Sequence, residues 1–353
     1  MLALLGLTAA CNTVGPAALA GARFDYNQEI ARSWEQQLLL NLVRLRYRDT
    51  PLFLDVSSVV AQYSLRTGAA VSPVLNVDGG SHTETATGLN LAYEERPTIT
   101  LVPLQGDDFT RRLLTPIPPE TLLLLSQSGW SVSRLLMCGV QRLHTLQNMP
   151  RAGGPTPTEI EVDPRFDELV SLLRDLQVTG GLDLTPVAAG GGVSIRLRLG
   201  EPDDPDEQAR LDRLRGLLAM ADDARELSLV RQPTGPDEVL VEARSLMGVL
   251  FFLSHAVEAP AEHIAEGLVT RSHTPDGAPI DWVRATGGLL RVRSSADVPD
   301  RAFAAVSYRD HWFWIDDRDL ESKSTFFLLH YLFSLQASSG AGLAPTLTVS
   351  AGG

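Results

Sequence analysis

The chain has 353 residues, of which 44% are hydrophobic, which is enough for a sizeable core and too apolar for a disordered polypeptide. A formal net charge of −13, with no basic cluster interleaved with aromatics, argues against a nucleic-acid binder, which must offer cations to phosphates. Lys323 is the only lysine among 30 basic residues, a bias of a GC-rich genome before one of function.

The chain opens on an apolar run, MLALLGLTAAC, that ends in small residues and Cys11. It resembles a bacterial lipoprotein signal peptide, with Leu7-Thr8-Ala9-Ala10-Cys11 standing where a lipobox would. That resemblance implies loss of residues 1–10, lipidation of Cys11 and, with Asn12 next, passage to the outer membrane. No Lys or Arg precedes the run, so the true start is expected upstream of Met1. Residues 11–23, rich in Gly, Ala and Pro, read as a tether. With Cys11 committed to lipid, Cys138 is expected to be a buried small hydrophobe outside any intrachain disulfide. No later stretch is long and apolar enough to span a bilayer as a helix.

A helix is predicted from Asp25 or Asn27, because Ile30, Trp34, Leu38, Leu42 and Leu45 recur at spacings of three and four up to the stop at Pro51. The period then becomes two. Tyr63, Leu65, Ala69, Val71, Leu75 and Val77 hold odd positions, while Gln62, Ser64, Arg66, Ser72 and Asn76 hold even ones. After the turn residues Asp78-Gly79-Gly80-Ser81-His82, the alternation resumes at Leu89, Leu91 and Tyr93. The pattern predicts a two-sided hairpin over 63–93, far longer than ordinary strands of about five or six residues. A strand over 96–104 and helices near 109–114, 119–129 and 131–146 complete an N-terminal α+β unit, 24–147.

Residues 148–158 (NMPRAGGPTPT) read as a linker to a C-terminal α+β unit, 159–353. There a helix capped at Asp163-Pro164 stops at Gly180-Gly181, and strands 182–188 and 193–199 flank Gly190-Gly191-Gly192. A helix follows the acidic stretch 201–207. Strands at 226–231 and 238–242, an apolar helix 246–257 and strands near 289–292 and 346–349 come next. The fold class is α+β, with antiparallel sheets and packed helices.

Within 302–336, strands 302–308 and 311–315 are predicted to turn at Arg309-Asp310, ahead of a helix announced by Asp316, Asp317 and Asp319. Those carboxylates and Lys323 form the one polar cluster that invites chemistry, as an acid/base pair or a cation site; turn and cap roles account for the same residues. His255, Glu258, Glu262 and His263 have the most metal-like spacing, but Pro260 interrupts the helix between them. Phosphate-loop, dinucleotide, hydrolase-elbow and common zinc signatures are all missing, so no catalytic residue, metal or cofactor is assigned.

Three long segments, YNQEIARSWEQQLLLNLVRLRYRDTPLFLDVSSVVAQY, RPTITLVPLQGDDFTRRLLTPIP and WFWIDDRDLESKSTFFLLHYLFSLQ, together with PTLTV, resemble segments shared by a group of uncharacterised bacterial lipoproteins. The resemblance implies a membrane-anchored protein and no particular activity. The expected function is non-enzymatic, exerted through contacts with other envelope proteins or with copies of itself, in an envelope structural or assembly role. Two alternatives remain. One is a subunit of a ring-forming outer-membrane pore or export complex, using the hairpin 63–93. The other is a hydrolase-like enzyme using Asp316, Asp317, Asp319 and Lys323.

Overall fold

The structure, a computed structural model, describes residues 7–74, 84–189, 192–337 and 347–350. Helix α1 (Leu7–Arg46) leads into strands β1 (Leu54–Val74) and β2 (Glu84–Pro103). Helices α2 (Asp107–Leu114), α3 (Pro119–Gln127) and α4 (Val132–Gly139) precede β3 (Val140–Leu143) and β4 (Leu146–Gln147). Next come α5 (Pro164–Thr179), β5 (Leu182–Ala189), β6 (Gly192–Leu199), α6 (Pro205–Leu218), β7 (Glu226–Val230) and β8 (Glu238–Ala243). The chain closes with α7 (Leu246–Ser254), α8 (Ala261–Ala265), α9 (Trp282–Ala285), β9 (Arg293–Ser295), β10 (Ala302–Tyr308), β11 (His311–Asp316), α10 (Leu320–Ala337) and β12 (Leu347–Ser350). This is a mixed α+β protein, as the periodicities predict. No helix among the described residues is long and apolar enough to cross a membrane.

Many boundaries follow from local chemistry. Helix α5 is capped by Asp163, has Pro164 in its first turn and ends on left-handed Gly180 at φ 81°. Asp204 caps α6 in the same way, accepting from Glu207 N, and Ser245 caps α7 by accepting from Gly248 N. Where the start of α1 was expected at Asp25 or Asn27, the backbone is helical from Leu7. The helix runs through the expected tether, where six Ala and two Leu among residues 7–23 favour it and Gly15, Pro16 and Gly21 oppose it.

The predicted helix 131–146 breaks at Gly139, and Val140 to Leu143 pair with β8 instead. A Cβ on Gly139 would meet Leu122 Cδ2 at 3.1 Å, so the glycine permits α3 to pack closely there. The segment read as a linker is also part of the core. Met149, Ala152 and Thr156 are buried, and Asn148 Nδ2 donates to the carbonyls of Met137 and Val140 at 2.9 and 2.8 Å. Its Pro and Gly make a 3-10 turn, Pro150–Gly153, that packs against α7. The strand expected at 289–292 is reduced to a bridge between Val257 and Val292, ahead of β9.

The chain divides into two compact units elsewhere than at 148–158. One comprises Met1–Pro51 with Gln105–Ser339, the other Leu52–Leu104 with Gly340–Gly353. The larger holds a six-stranded sheet, ordered β4-β3-β8-β7-β6-β5, and a three-stranded sheet, β10-β11-β9. All its pairs are antiparallel except β7–β8, whose connection 231–237 is short for parallel neighbours. The Glu238 carboxylate holds that connection by accepting from Thr234 N, Thr234 Oγ1 and Gly235 N. Its core joins Leu38, Leu39, Leu42 and Val43 of α1 to Val249, Leu250, Phe252 and Leu253 of α7, all essentially inaccessible.

The smaller unit is the long hairpin, ordered β1-β2-β12. Strands β1 and β2 pair antiparallel from Leu54↔Pro103 to Val74↔Glu84, with one irregularity between Val56 and Ser58. The predicted turn 78–82, with Leu75 and Val77, lies outside the described residues. Strand β12 pairs with β2 only from Thr98 to Leu101.

Candidate functional site

The four residues with the clearest chemical promise are brought near one another, and each has a local task. Asp316 Oδ1 accepts from Arg318 N and Nε, both at 3.0 Å, and Oδ2 accepts from Arg318 Nη2 at 2.8 Å. Those bonds hold the Asp316 carboxyl well below the usual range. Asp319 caps α10, its Oδ1 accepting from Ser322 N at 3.0 Å and its Oδ2 from Ser322 Oγ at 2.7 Å. Lys323 Nζ donates to Asp317 Oδ1 and to the Asp317 carbonyl, at 2.7 and 3.1 Å. The cluster is a turn, a cap and an ion pair.

The metal-like set is pulled apart by its partners. His255 is buried between Ala152 O, 3.1 Å from Nε2, and Thr156 Oγ1, 3.2 Å from Nδ1. Burial, with Arg46 close by, lowers its pKa to about 3, so the ring is neutral and donates from Nε2. Glu258 accepts from Arg291 Nε at 2.7 Å, and Glu262 pairs with His311 Nε2 at 2.8 Å. His263 Nδ1 meets Tyr47 Oη at 2.6 Å. Among the described residues no group of three or more His, Cys, Asp or Glu is placed to hold a metal ion.

Those last partners belong to a cluster that sequence reasoning missed. The end of α1, helix α8 and the β10–β11 turn converge on Tyr47, Asp49, Glu262, His263, Tyr308, Arg309 and His311. The two histidine rings lie 4.8 Å apart, and the two tyrosine rings 5.5 Å apart. Asp49 accepts from Tyr308 Oη and, at 3.0 Å, from Arg309 Nη2. The bond from Tyr308 is the main cause of a lowered Asp49 pKa, while burial pushes the Tyr47 phenol up to about 12. Arg309 also lies 5.3 Å from the Tyr47 ring and 5.5 Å from that of Tyr308. A signal was present in the sequence, because the tripeptide Tyr-Arg-Asp occurs at 47–49 and again at 308–310. Both arginines adopt positive φ, 62° at Arg48 and 49° at Arg309, and Asp310 follows at 63°. Strained backbone is thus concentrated where the two tripeptides meet.

Two buried arginines were equally hidden. Arg46 Nη1 donates to Thr270 O and Thr156 Oγ1 at 3.1 and 3.3 Å. Arg244 donates to the carbonyls of Met137, Cys138, Val140 and Asn148, and its guanidinium lies 4.1 Å from the centre of the Phe252 ring. Neither makes an ion pair with a carboxylate among the described residues. Burial alone draws their pKa values down to about 10 and about 9. Arg244 thereby supplies donors to the carbonyls at the C-terminal end of α4, where a positive charge is favoured.

Cys138 is free and buried, and burial pushes its thiol up to about 12, far from a nucleophile's range. Cys11 falls within α1, with its side chain outside the described part of the structure. Comparison with protein-family models, with curated proteins and with solved structures finds no match to this chain.

Proposed function

We propose that this is a lipid-anchored protein of the bacterial outer membrane, facing the periplasm, that acts non-enzymatically through protein contacts in an envelope structural or assembly role. The observation that carries the reading is the register of the hairpin. It opposes Tyr63 to Glu95, Leu65 to Tyr93, Thr67 to Leu91, Ala69 to Leu89 and Val71 to Thr87. The apolar alternations of the two strands therefore fall on one face, with Gln62, Ser64, Arg66, Asn90, Glu94 and Arg96 at positions of the other. Among the described residues β1 is paired on one side only, and β12 covers a short part of β2. Long strand edges of this kind are templates for pairing with another chain.

The anchor rests on the lipobox-like Leu7–Cys11. If Cys11 carries the lipid, α1 places a helical spacer between the membrane and the part of the helix that packs in the core, on the order of 35 Å at 1.5 Å per residue. Mass spectrometry of the membrane-extracted protein tests this. A mature chain beginning at diacylglyceryl-modified Cys11 is expected, and an unmodified chain that retains Met1 would overturn the anchor.

A second reading, a ring-forming pore or export subunit, is favoured by strand length. Strands of 21 and 20 residues exceed the 9–11 or so that cross an outer membrane in a barrel, and a closed ring of hairpins would leave no free edge.

A further inference from the structure

Within the larger unit, α1, β10 and α10 border a cleft of about 330 Å³. Its walls include Trp34, Phe303, Phe327 and His330, with Glu35 and Lys323 as the charged groups among its lining. Trp34 stands edge-on to His330 with ring centres 4.4 Å apart, and Phe327 is 54% exposed at the rim.

The charges around this cleft do not balance. Arg32 pairs with Glu29 at 3.2 Å, and Lys323 pairs with Asp317 at 2.7 Å. Glu35, half-buried, makes no hydrogen bond or ion pair among the described residues. Burial raises its carboxyl pKa against the weaker opposing pull of Lys323 and Arg32. What remains, beside aromatic rings, is one carboxylate that no cation among the described residues contacts directly, Lys323 and Arg32 acting on it only at a distance. One of those rings already receives a cation, since Lys323 Nζ sits 5.3 Å over the centre of Phe303.

We propose that this cleft is a binding site for an organic ammonium ion with an apolar body. The ammonium donates to the Glu35 carboxylate, and its hydrocarbon part lies against Trp34 and Phe327. The cleft volume suits a small ligand, at the lower end of the usual range. A neutral ligand leaves the carboxylate unanswered, and an anion meets it directly, so charge selects the class. The inference is independent of the lipid anchor and of the hairpin.

The test is calorimetric titration of the full chain with phenethylammonium, with the neutral analogue 2-phenylethanol, and with Nα-acetyl-lysine methylamide as a peptide-borne ammonium. Saturable binding of an ammonium is expected, at least tenfold tighter than the alcohol, and the tighter of the two ammonium probes names the natural source. Glu35→Gln should weaken binding tenfold or more while thermal unfolding stays within a few degrees. Lys323→Met, which removes the competing cation, should retain or strengthen it. Equal binding of alcohol and ammonium, undiminished binding to Glu35→Gln, or no binding of either ammonium would overturn the proposal.

Discussion

His255 shows how one residue writes its environment into the stability of the whole. Its folded pKa near 3 lies far below the ordinary histidine value of 6.5, because the neutral ring is enclosed and Arg46 stands nearby. Above pH 6.5 the ring is neutral in both folded and unfolded chains and adds no pH dependence. Between 6.5 and 3 the unfolded chain takes up a proton that the folded chain refuses, so stability falls as pH falls. In chemical denaturation the wild type should lose more stability than His255→Gln, which removes the titration, as pH falls below 6.5, on the order of 1 kcal/mol per pH unit. Parallel pH profiles for the two proteins would contradict the assignment. Nothing near His255 in sequence announced this role, because its partners Thr156 and Ala152 are 99 and 103 residues away. The same holds for Arg244, which meets the Met137 carbonyl across 107 residues. By contrast, Asp163, Asp204 and Asp319 were legible as a cap, an acidic approach to a helix and a turn-and-cap carboxylate, since a cap is completed within three residues of its own position.

At the scale of elements, the β10–β11 hairpin is the clearest case of a local pattern under tertiary pressure. Strand alternation and the aromatic run HWFWI predicted both strands and a turn at Arg309-Asp310, which the register places between Tyr308 and His311. What the pattern did not show is the cost of that turn, with two consecutive non-glycine residues at positive φ. Such two-residue turns favour glycine because an L side chain is crowded there. Arg309 is retained in this conformation by Asp49 and the two tyrosine rings, whereas Asp310 makes no bond among the described residues. Asp310→Gly should therefore raise stability by about 0.5–1 kcal/mol in equilibrium denaturation, strain relief exceeding the entropy of the freer unfolded chain. A loss of stability would mean that Asp310 has a partner of its own. Helix α4 failed the opposite way in sequence reasoning. Its apolar period runs on past Gly139, and only pairing with β8, far along the chain, turns Val140 to Leu143 into a strand. Periodicity cannot separate a buried helix from a buried strand over so short a run.

Across the whole molecule, composition and period were sufficient for the α+β class, and they overlooked how the chain is divided. A Pro- and Gly-rich stretch at 148–158 has the composition of a linker, yet Asn148 and Met149 are buried and hold α4 and the core together. The compact unit that does separate is the hairpin, whose strands leave and rejoin the larger unit at 51–52 and 104–105. The proposed role in protein contacts is supported by the register of the long strands, which puts the period-two apolar positions on one face, and by an edge of β1 that is unpaired among the described residues. The most direct test is site-specific photo-cross-linking in cells, with the reactive residue placed at Arg66 in β1 or at exposed Asp222 on the larger unit. Adducts from position 66 and none from position 222 are predicted; masses at multiples of the chain would select the ring, and other masses a different envelope protein. Adducts from position 222 alone, or from neither position, would contradict a hairpin that carries the contacts.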